Sequence, residues 1–290
     1  MWSESLQEIQ RLQQEAMANG HPLWFRGQRK ASWKLLSSIH RKINESIKEG
    51  YGVEPQTTPE AEKIKNELMI NKSKLLFLDF KARAIQLLSE HERTDWGLVF
   101  AMQHLGLPTR LLDWTESFTC ALYFAQHKRE RSDDAAIFVL NPQQHNQTIV
   151  GREGIVWLGG NADRMTVMET DFYINLPSYH PAIVGSGKDI EMLAVAPDLT
   201  NARMVAQRSA FTLCGASFQP LEEKYPRSIT KIVLPSEEFD EVRAFLDLAG
   251  QSHFGYFPDL EGLRDHLIEE MEKDVNLTKN AVARARAALP

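Results

Sequence analysis

Apolar residues recur at helical spacing through most of the first half of the chain and at strand spacing through most of the second. That order constrains the fold more than any single motif does. A doubly wound parallel sheet needs strands and helices in alternation, and their absence here leaves an α+β class. Residues 3–19 set Leu6, Ile9, Leu12 and Ala16 on one helical face, with Ser3 to cap it and Gly20 to stop it. Residues 22–26 read as a short strand, and 27–56 as loop with one helical turn at 40–48. Thr58 and Pro59 then open a helix that the pattern carries to about residue 89. Thr94 or Asp95 caps a shorter helix that ends near Gly106. "TRLLDW" (109–114) is a buried strand, Thr115 caps the helix after it, and 133–142 is a strand ended by Pro142. From 143 to about 208 the pattern weakens. Strands are expected at 154–158 and 191–197, joined by long loops of the kind that usually carry function. Strands at 209–215 and 228–235, helices at 236–250 and 258–275, and a basic tail at 275–290 complete the reading.

A chain of 290 residues, 43% hydrophobic, can bury a core without disulfides or metals, and it is read as one domain spanning 1–290 with its core at about 20–270. Cys120 and Cys214 lie in apolar contexts without CxxC spacing, so both read as small buried hydrophobes in a reducing compartment. No apolar run approaches the roughly 20 residues a membrane span needs. The first 20 residues lack the basic and apolar regions of a signal peptide. The expected location is therefore cytoplasmic, with no membrane partner. A net charge of −6 argues against generic polyanion binding but leaves room for a local basic cleft.

The chain holds no P-loop, no GxGxxG after a strand, no HExxH and no GxSxG elbow. His104 and His127 are not at metal-ligand spacing from each other or from a cysteine, and no metal is expected. Three stretches are dense in unusual residues. From Trp24 to Asn44 there are six Lys or Arg and no Asp or Glu, interleaved with Trp24, Phe25 and Trp33. Arg26, Arg29, Lys30 and Lys34 suit phosphate contacts, an aromatic ring suits base stacking, and Gly27 would let a ligand approach the backbone. The plain alternative is a solvated basic loop after a strand. The second stretch, 102–125, sets Gln103, His104, Arg110, Asp113, Trp114 and Thr115 into apolar surroundings. An Asp at the end of a buried strand can orient a neighbouring Arg or His, and the following helix N-terminus attracts phosphate. Here the alternative is a structural Arg110–Asp113 pair. The third places Arg203, Gln207 and Arg208 at a strand entrance, where buried polar groups need partners and a cleft would supply them.

Together these stretches resemble the FRG domain family. "FRGQ" (25–28) is similar to the motif that names it, "QHLGLPTRLLDWTESFTCALYFA" (103–125) to its longest signature, "RMVAQRSAFT" (203–212) to its later R…Q…F segment, and "FPDLEGL" (257–263) to its end. The likeness spans about residues 20–270, with Ser209 standing where the pattern places glycine. The order of parts resembles the ADP-ribosyltransferase fold, which implies a split β-sheet core with a helical N-terminal half and C-terminal helices. The resemblance implies an NAD-dependent transferase, with NAD as co-substrate. Arg26, Asp113 and Gln207 would be catalytic. Arg26, Gln28, Arg110, Trp114, Thr115, Tyr123 and Arg203 would hold NAD, with a ring of Trp114 or Tyr123 stacking on nicotinamide. Asp113 is preferred to replace the usual last-strand carboxylate, with Gln207 the open alternative and Glu222 and Glu223 in a loop-like stretch. Arg29, Lys30, Trp33 and Lys34 are left for a nucleic-acid acceptor, RNA before DNA, with protein as the other acceptor. The class implies a toxin or anti-phage effector with a neutralising antitoxin partner. Two other readings stay open: a non-catalytic nucleic-acid binding module, and a nuclease or hydrolase using Asp113, His104 and Glu116.

Overall fold

A computed structural model describes residues 2–51, 58–151, 153–158, 166–167, 170–173 and 191–287. In chain order the elements are α1 (Trp2–Ala18), β1 (Trp24–Gln28), α2 (Ser38–Tyr51), α3 (Pro59–Ala84), α4 (Asp95–His104), β2 (Leu111–Thr115), α5 (Phe118–Gln126), β3 (Ala135–Leu140), α6 (Pro142–Val150) and β4 (Val156–Leu158). There follow β5 (Thr166–Val167), β6 (Thr170–Tyr173), β7 (Leu193–Pro197), α7 (Ala202–Ala206), β8 (Ser209–Leu213), α8 (Leu221–Lys224), β9 (Ile229–Leu234), α9 (Phe239–Leu248), α10 (His253–Tyr256) and α11 (Leu260–Ala287). This is a mixed α+β architecture. Its strands form one sheet in the order β6-β5-β4-β7-β8-β2-β1-β3-β9, antiparallel except between β4 and β7.

The sheet is unevenly joined. β1 pairs with β3 along its whole length, from Trp24↔Leu140 to Gln28↔Ala136. On its other edge β1 meets β2 at a single rung, Phe25↔Thr115. Beyond that rung the two strands separate, so the sheet consists of two limbs hinged at one pair. Cross-strand partners share a face, so Phe25 and Thr115 mark one face of both limbs. On that face each limb has its own core. Phe25, Ile137, Val139 and Leu234 pack under α1, α5 and α9. Leu111, Phe211, Leu213 and Val195 pack under α3 and α4 through Phe77, Leu98 and Met102. The opposite face carries one core across both limbs, built from Trp24, Leu112, Trp114, Phe138, Leu140 and Ala210. Full burial of a side chain such as Phe138 stabilises by roughly 1.5–3 kcal/mol.

Gly27 is fixed by packing. A Cβ there would lie 1.8 Å from the Ala121 carbonyl oxygen and 2.6 Å from the Ala125 nitrogen. Helix α5 therefore lies with its backbone directly on β1, through its own small residues. The expectation that Gly27 opens the backbone to a ligand gives way to this helix–strand contact.

The helices at Thr58 and Thr94 form where expected, with Thr58 Oγ1 accepting from Ala61 N and Thr94 Oγ1 from Gly97 N. Several boundaries differ. The supposed loop at 27–56 contains the 14-residue helix α2, whose Ile39 and Ile43 bury against Met69 of α3. Thr115 stays in β2, and Ser117 caps α5, its Oγ accepting from Cys120 N. Residues 142–150, expected as loop, form α6 because Asn141 caps it, Pro142 occupies its first turn and Gly151 (φ +75°) closes it. Ser236 opens a short 3-10 turn that leads into α9. The tail expected at 275–290 continues α11 to Ala287. The turn before β8 places its positive φ on Arg208 (+46°), so Ser209 is an ordinary first strand residue and needs no glycine. Of the weak region, 152, 159–165, 168–169 and 174–190 lie outside the described residues. Among the described residues no helix is long and apolar enough to cross a membrane.

Candidate active site at the open seam

A cavity of about 880 Å³ occupies the gap where β1 and β2 part. This lies within the roughly 300–1,000 Å³ range of small-molecule sites. Its wall takes Arg26 and Gln28 from β1, Asp113 from β2, the flank of α5 at Ala121 and Phe124, Arg41 and Asn44 from α2, and Arg203 and Gln207 from the α7 turn. Five elements thus converge on one space.

Arg26 is placed by strand alternation. It points to the same side as Trp24, and its guanidinium reaches across the gap. Nη1 donates to the Asp113 main-chain carbonyl at 2.7 Å and lies 3.7 Å from Asp113 Oδ2. A closed ladder would engage such a carbonyl through a β1 amide; here a side chain takes that place. The Arg26 side chain keeps 19% of its exposure. Burial pulls its pKa below the ordinary arginine value, and Asp113 opposes that shift. Asp113 is itself held: Gln103 Nε2 donates to Oδ2 at 2.9 Å, and Thr109 Oγ1 donates to Gln103 Oε1. Its carboxylate remains 55% exposed at the cavity.

Three polar atoms of the wall are buried without a hydrogen-bond partner: Arg26 Nε, Gln28 Oε1 and Asn44 Oδ1. Gln28 is only 6% exposed. Leaving such groups unpaired costs roughly 1–3 kcal/mol each, and their clustering around one cavity is what a polar ligand would satisfy. Charge agrees. The wall carries Arg26, Arg29, Lys34, Arg41 and Arg203 against Asp113 and Glu45, a cationic pocket in an acidic protein. Low-dielectric walls focus such a field on an anionic ligand. Arg203 also lies 4.4 Å above the Phe257 ring; burial lowers its pKa, with Asp113 and Asp259 opposing. Cys120 reaches the wall, but burial pushes its thiol up to about 12, so it offers no thiolate at neutral pH.

The cavity gathers Arg26, Gln28, Asp113, Trp114, Thr115, Arg203 and Gln207 of the residues expected for NAD, and Arg29, Trp33 and Lys34 of those expected for an acceptor. Roles shift in detail. The Trp114 ring is buried and its indole N–H donates to Thr212 Oγ1, so it has no free face for stacking. Thr115 Oγ1 donates to the Gln207 carbonyl and accepts from Ser117 N. Gln207 caps α7 rather than sitting on a strand, and its Nε2 donates to the Tyr256 carbonyl. Arg110, Tyr123 and Lys30 are not part of the wall. The Arg110 charge lies near His40 and Cys214. Tyr123 instead bonds His127 and His253. The basic stretch is acid-free in sequence but not in space: Lys30 pairs with Asp133 at 3.0 Å and Lys34 with Glu223. Glu222 accepts from Leu35 N, so neither Glu222 nor Glu223 is a cavity carboxylate. Arg29 stacks over Trp33 at 5.1 Å, with Trp33 42% exposed at the rim. His104 and Glu116 stand off the wall, and Glu116 pairs with Arg208. The phosphate site expected at the α5 N-terminus is replaced by the flank of that helix. Sequence reasoning missed Arg41, Asn44 and Phe124 as wall residues; the first two sit on α2, where only one helical turn at 40–48 was expected.

The model of the FRG domain family matches residues 21–134. Every residue of the cavity wall except Arg203 and Gln207 lies inside that stretch, while the segments at 203–212 and 257–263 lie beyond it. No curated protein and no solved structure matches the chain.

Proposed function

We propose that this chain, whose residues 21–134 match the model of the FRG domain family, is an NAD-dependent ADP-ribosyltransferase whose site is the cavity at the open seam. One observation carries the reading: a cationic cavity between two sheet limbs that collects Arg26, Gln28, Asp113 and Arg203 and surrounds buried polar atoms awaiting partners. The single rung joining β1 to β2 supports describing the sheet as the split core of that superfamily, an argument by fold analogy.

In the proposed reaction the bond between nicotinamide nitrogen and ribose C1′ breaks. Its electron pair leaves on nicotinamide, and the acceptor's nucleophile forms the new bond to C1′ through an oxocarbenium-like state. Arg26 and Arg203 hold the pyrophosphate as bidentate donors. Gln28 hydrogen-bonds the ribose from a buried, fixed position. Asp113, aimed by Gln103, steadies the positive charge that develops on the ribose and orients the incoming nucleophile. Phe124 is the aromatic side chain of the wall left to face the nicotinamide. Arg29 stacked on Trp33 at the rim suits an unstacked base, so the acceptor is proposed as nucleic acid, RNA before DNA. An effector of this kind would need a neutralising partner in the cell that makes it.

The test incubates the full chain with labelled NAD and RNA, DNA or cell lysate. Label on RNA is the expected result, and label on protein would redirect the acceptor. Arg26→Ala should lower turnover by about 100-fold or more while the protein stays folded. Salt-sensitive RNA binding without label transfer or nicotinamide release would overturn the catalytic reading in favour of a binding module.

A further inference from the structure

Beside the cavity, three helices bring two imidazoles and a carboxylate together. His127 follows the end of α5, His253 opens α10 and Glu269 lies in α11. One ligand atom from each lies within 4.8 Å of the other two. His127 Nδ1 is 4.0 Å from Glu269 Oε1, and His253 Nε2 is 3.8 Å from Asp265 Oδ2. The rings stack with centroids 5.2 Å apart, and Phe257 covers His253 at 4.5 Å. His253 is 6% exposed. The Tyr123 hydroxyl sits 3.0 Å from His127 Nδ1 and 2.7 Å from His253 Nδ1. The phenol oxygen has two lone pairs and can accept from Nδ1–H of both rings, the tautomer that leaves each Nε2 lone pair for an ion.

We propose that His127, His253 and Glu269 form a binding site for one divalent transition-metal ion of the zinc class. Two imidazoles and a carboxylate favour zinc-like ions over magnesium or calcium, which prefer all-oxygen shells. Zinc bonds near 2.0 Å set tetrahedral ligands about 3.3 Å apart, so ligand atoms up to 4.8 Å apart must close by up to about 1.5 Å. Glu269, with three side-chain torsions and 43% exposure, is free to do so. Tyr123 stands behind the rings as the outer partner that orients histidine ligands, and Asp265 is positioned to join from the His253 side. An ion here would tie α11 and α10 to α5. His127 is also part of the cavity wall, so the ion would stiffen that wall. The site is independent of the transferase reading, because its evidence is the ligand geometry alone.

The experiment uses the full chain without a polyhistidine tag, stripped by a chelator and titrated with Zn²⁺ alone. Calorimetry should give one equivalent bound, and the melting temperature should rise on loading, as it does when a ligand binds only the folded state. Glu269→Gln, at a half-exposed position that leaves the fold intact, should weaken Zn²⁺ binding by about 10- to 100-fold and abolish the melting shift. Its circular-dichroism spectrum and metal-free melting temperature should match the wild type. His253→Asn should lose binding too, read only if its spectrum is native. No binding tighter than about 0.1 mM in the folded wild type, or unchanged affinity in Glu269→Gln, would overturn the proposal.

Discussion

The two edges of β1 differ sharply. Against β3 every residue of the strand is paired, and α5 presses so closely on Gly27 that no side chain fits. Against β2 one rung forms, and the rest of the edge faces a cavity lined by cations and unpartnered polar atoms. One five-residue strand is therefore fully paired on one edge and largely unpaired on the other. Rigid packing on one side holds Arg26 and Gln28 in place, so their polar groups need no reorganisation to meet a ligand.

The comparison breaks first at its tight side. Gly27→Ala puts a methyl group into the Ala121 carbonyl and should destabilise the protein by roughly 3 kcal/mol or more. Urea denaturation reads this directly, and a loss under about 1 kcal/mol would show that α5 can lift from β1.

Acid tests the packing behind α2, the helix that walls the open side. His40 on α2 is buried, its Nδ1 2.7 Å from Ser37 Oγ; burial, and then the charge of Arg110, lower its pKa to about 4. Between the unfolded value near 6.5 and about 4 the unfolded chain binds a proton that the folded chain refuses. The stability from this site is therefore full above pH 6.5, falls as pH drops through that window, and is flat below it. The loss is on the order of 3 kcal/mol. Denaturation midpoints at pH 7, 5.5 and 4.5 should decline in that order, and equal midpoints would place His40 in contact with solvent.

Gln28→Met sharpens the open side with the smallest effect. It removes a buried oxygen that has no partner, so stability should stay within about 1 kcal/mol, while NAD affinity should fall about tenfold. A large stability loss with unchanged affinity would make Gln28 a structural residue of the closed side.

The sequence displayed the pieces of this contrast and hid how they join. Alternation along Trp24, Phe25, Arg26, Gly27 and Gln28 separates two faces, and the strand at 109–114 was legible from its apolar run. That β1 inserts between β2 and β3, with β8 beyond β2, depends on non-local pairing that no local pattern encodes. Only one turn of α2, at 40–48, was legible because polar and basic residues dilute the stripe of Ile39, Ile43 and Ile47, yet the helix brings Arg41 and Asn44 to the cavity. α6 escaped because Pro142 reads equally as a strand's end or a helix's first residue, and here it is both. Arg26, Asp113, Arg203 and Gln207 were singled out by residue type and do meet. The partners that fix them, Gln103 for Asp113 and the Tyr256 carbonyl for Gln207, are set by tertiary packing. His127 and His253 lie far apart in sequence, so spacing could not show that they face one another.

The most direct measurement is a crystal structure of the full chain soaked with NAD. Bound dinucleotide should lie between the two limbs, with its pyrophosphate on Arg26 and Arg203 and its ribose within hydrogen-bond reach of Gln28. NAD bound elsewhere, or an empty seam at saturating NAD, would contradict the claim that the parting of β1 from β2 builds the active site.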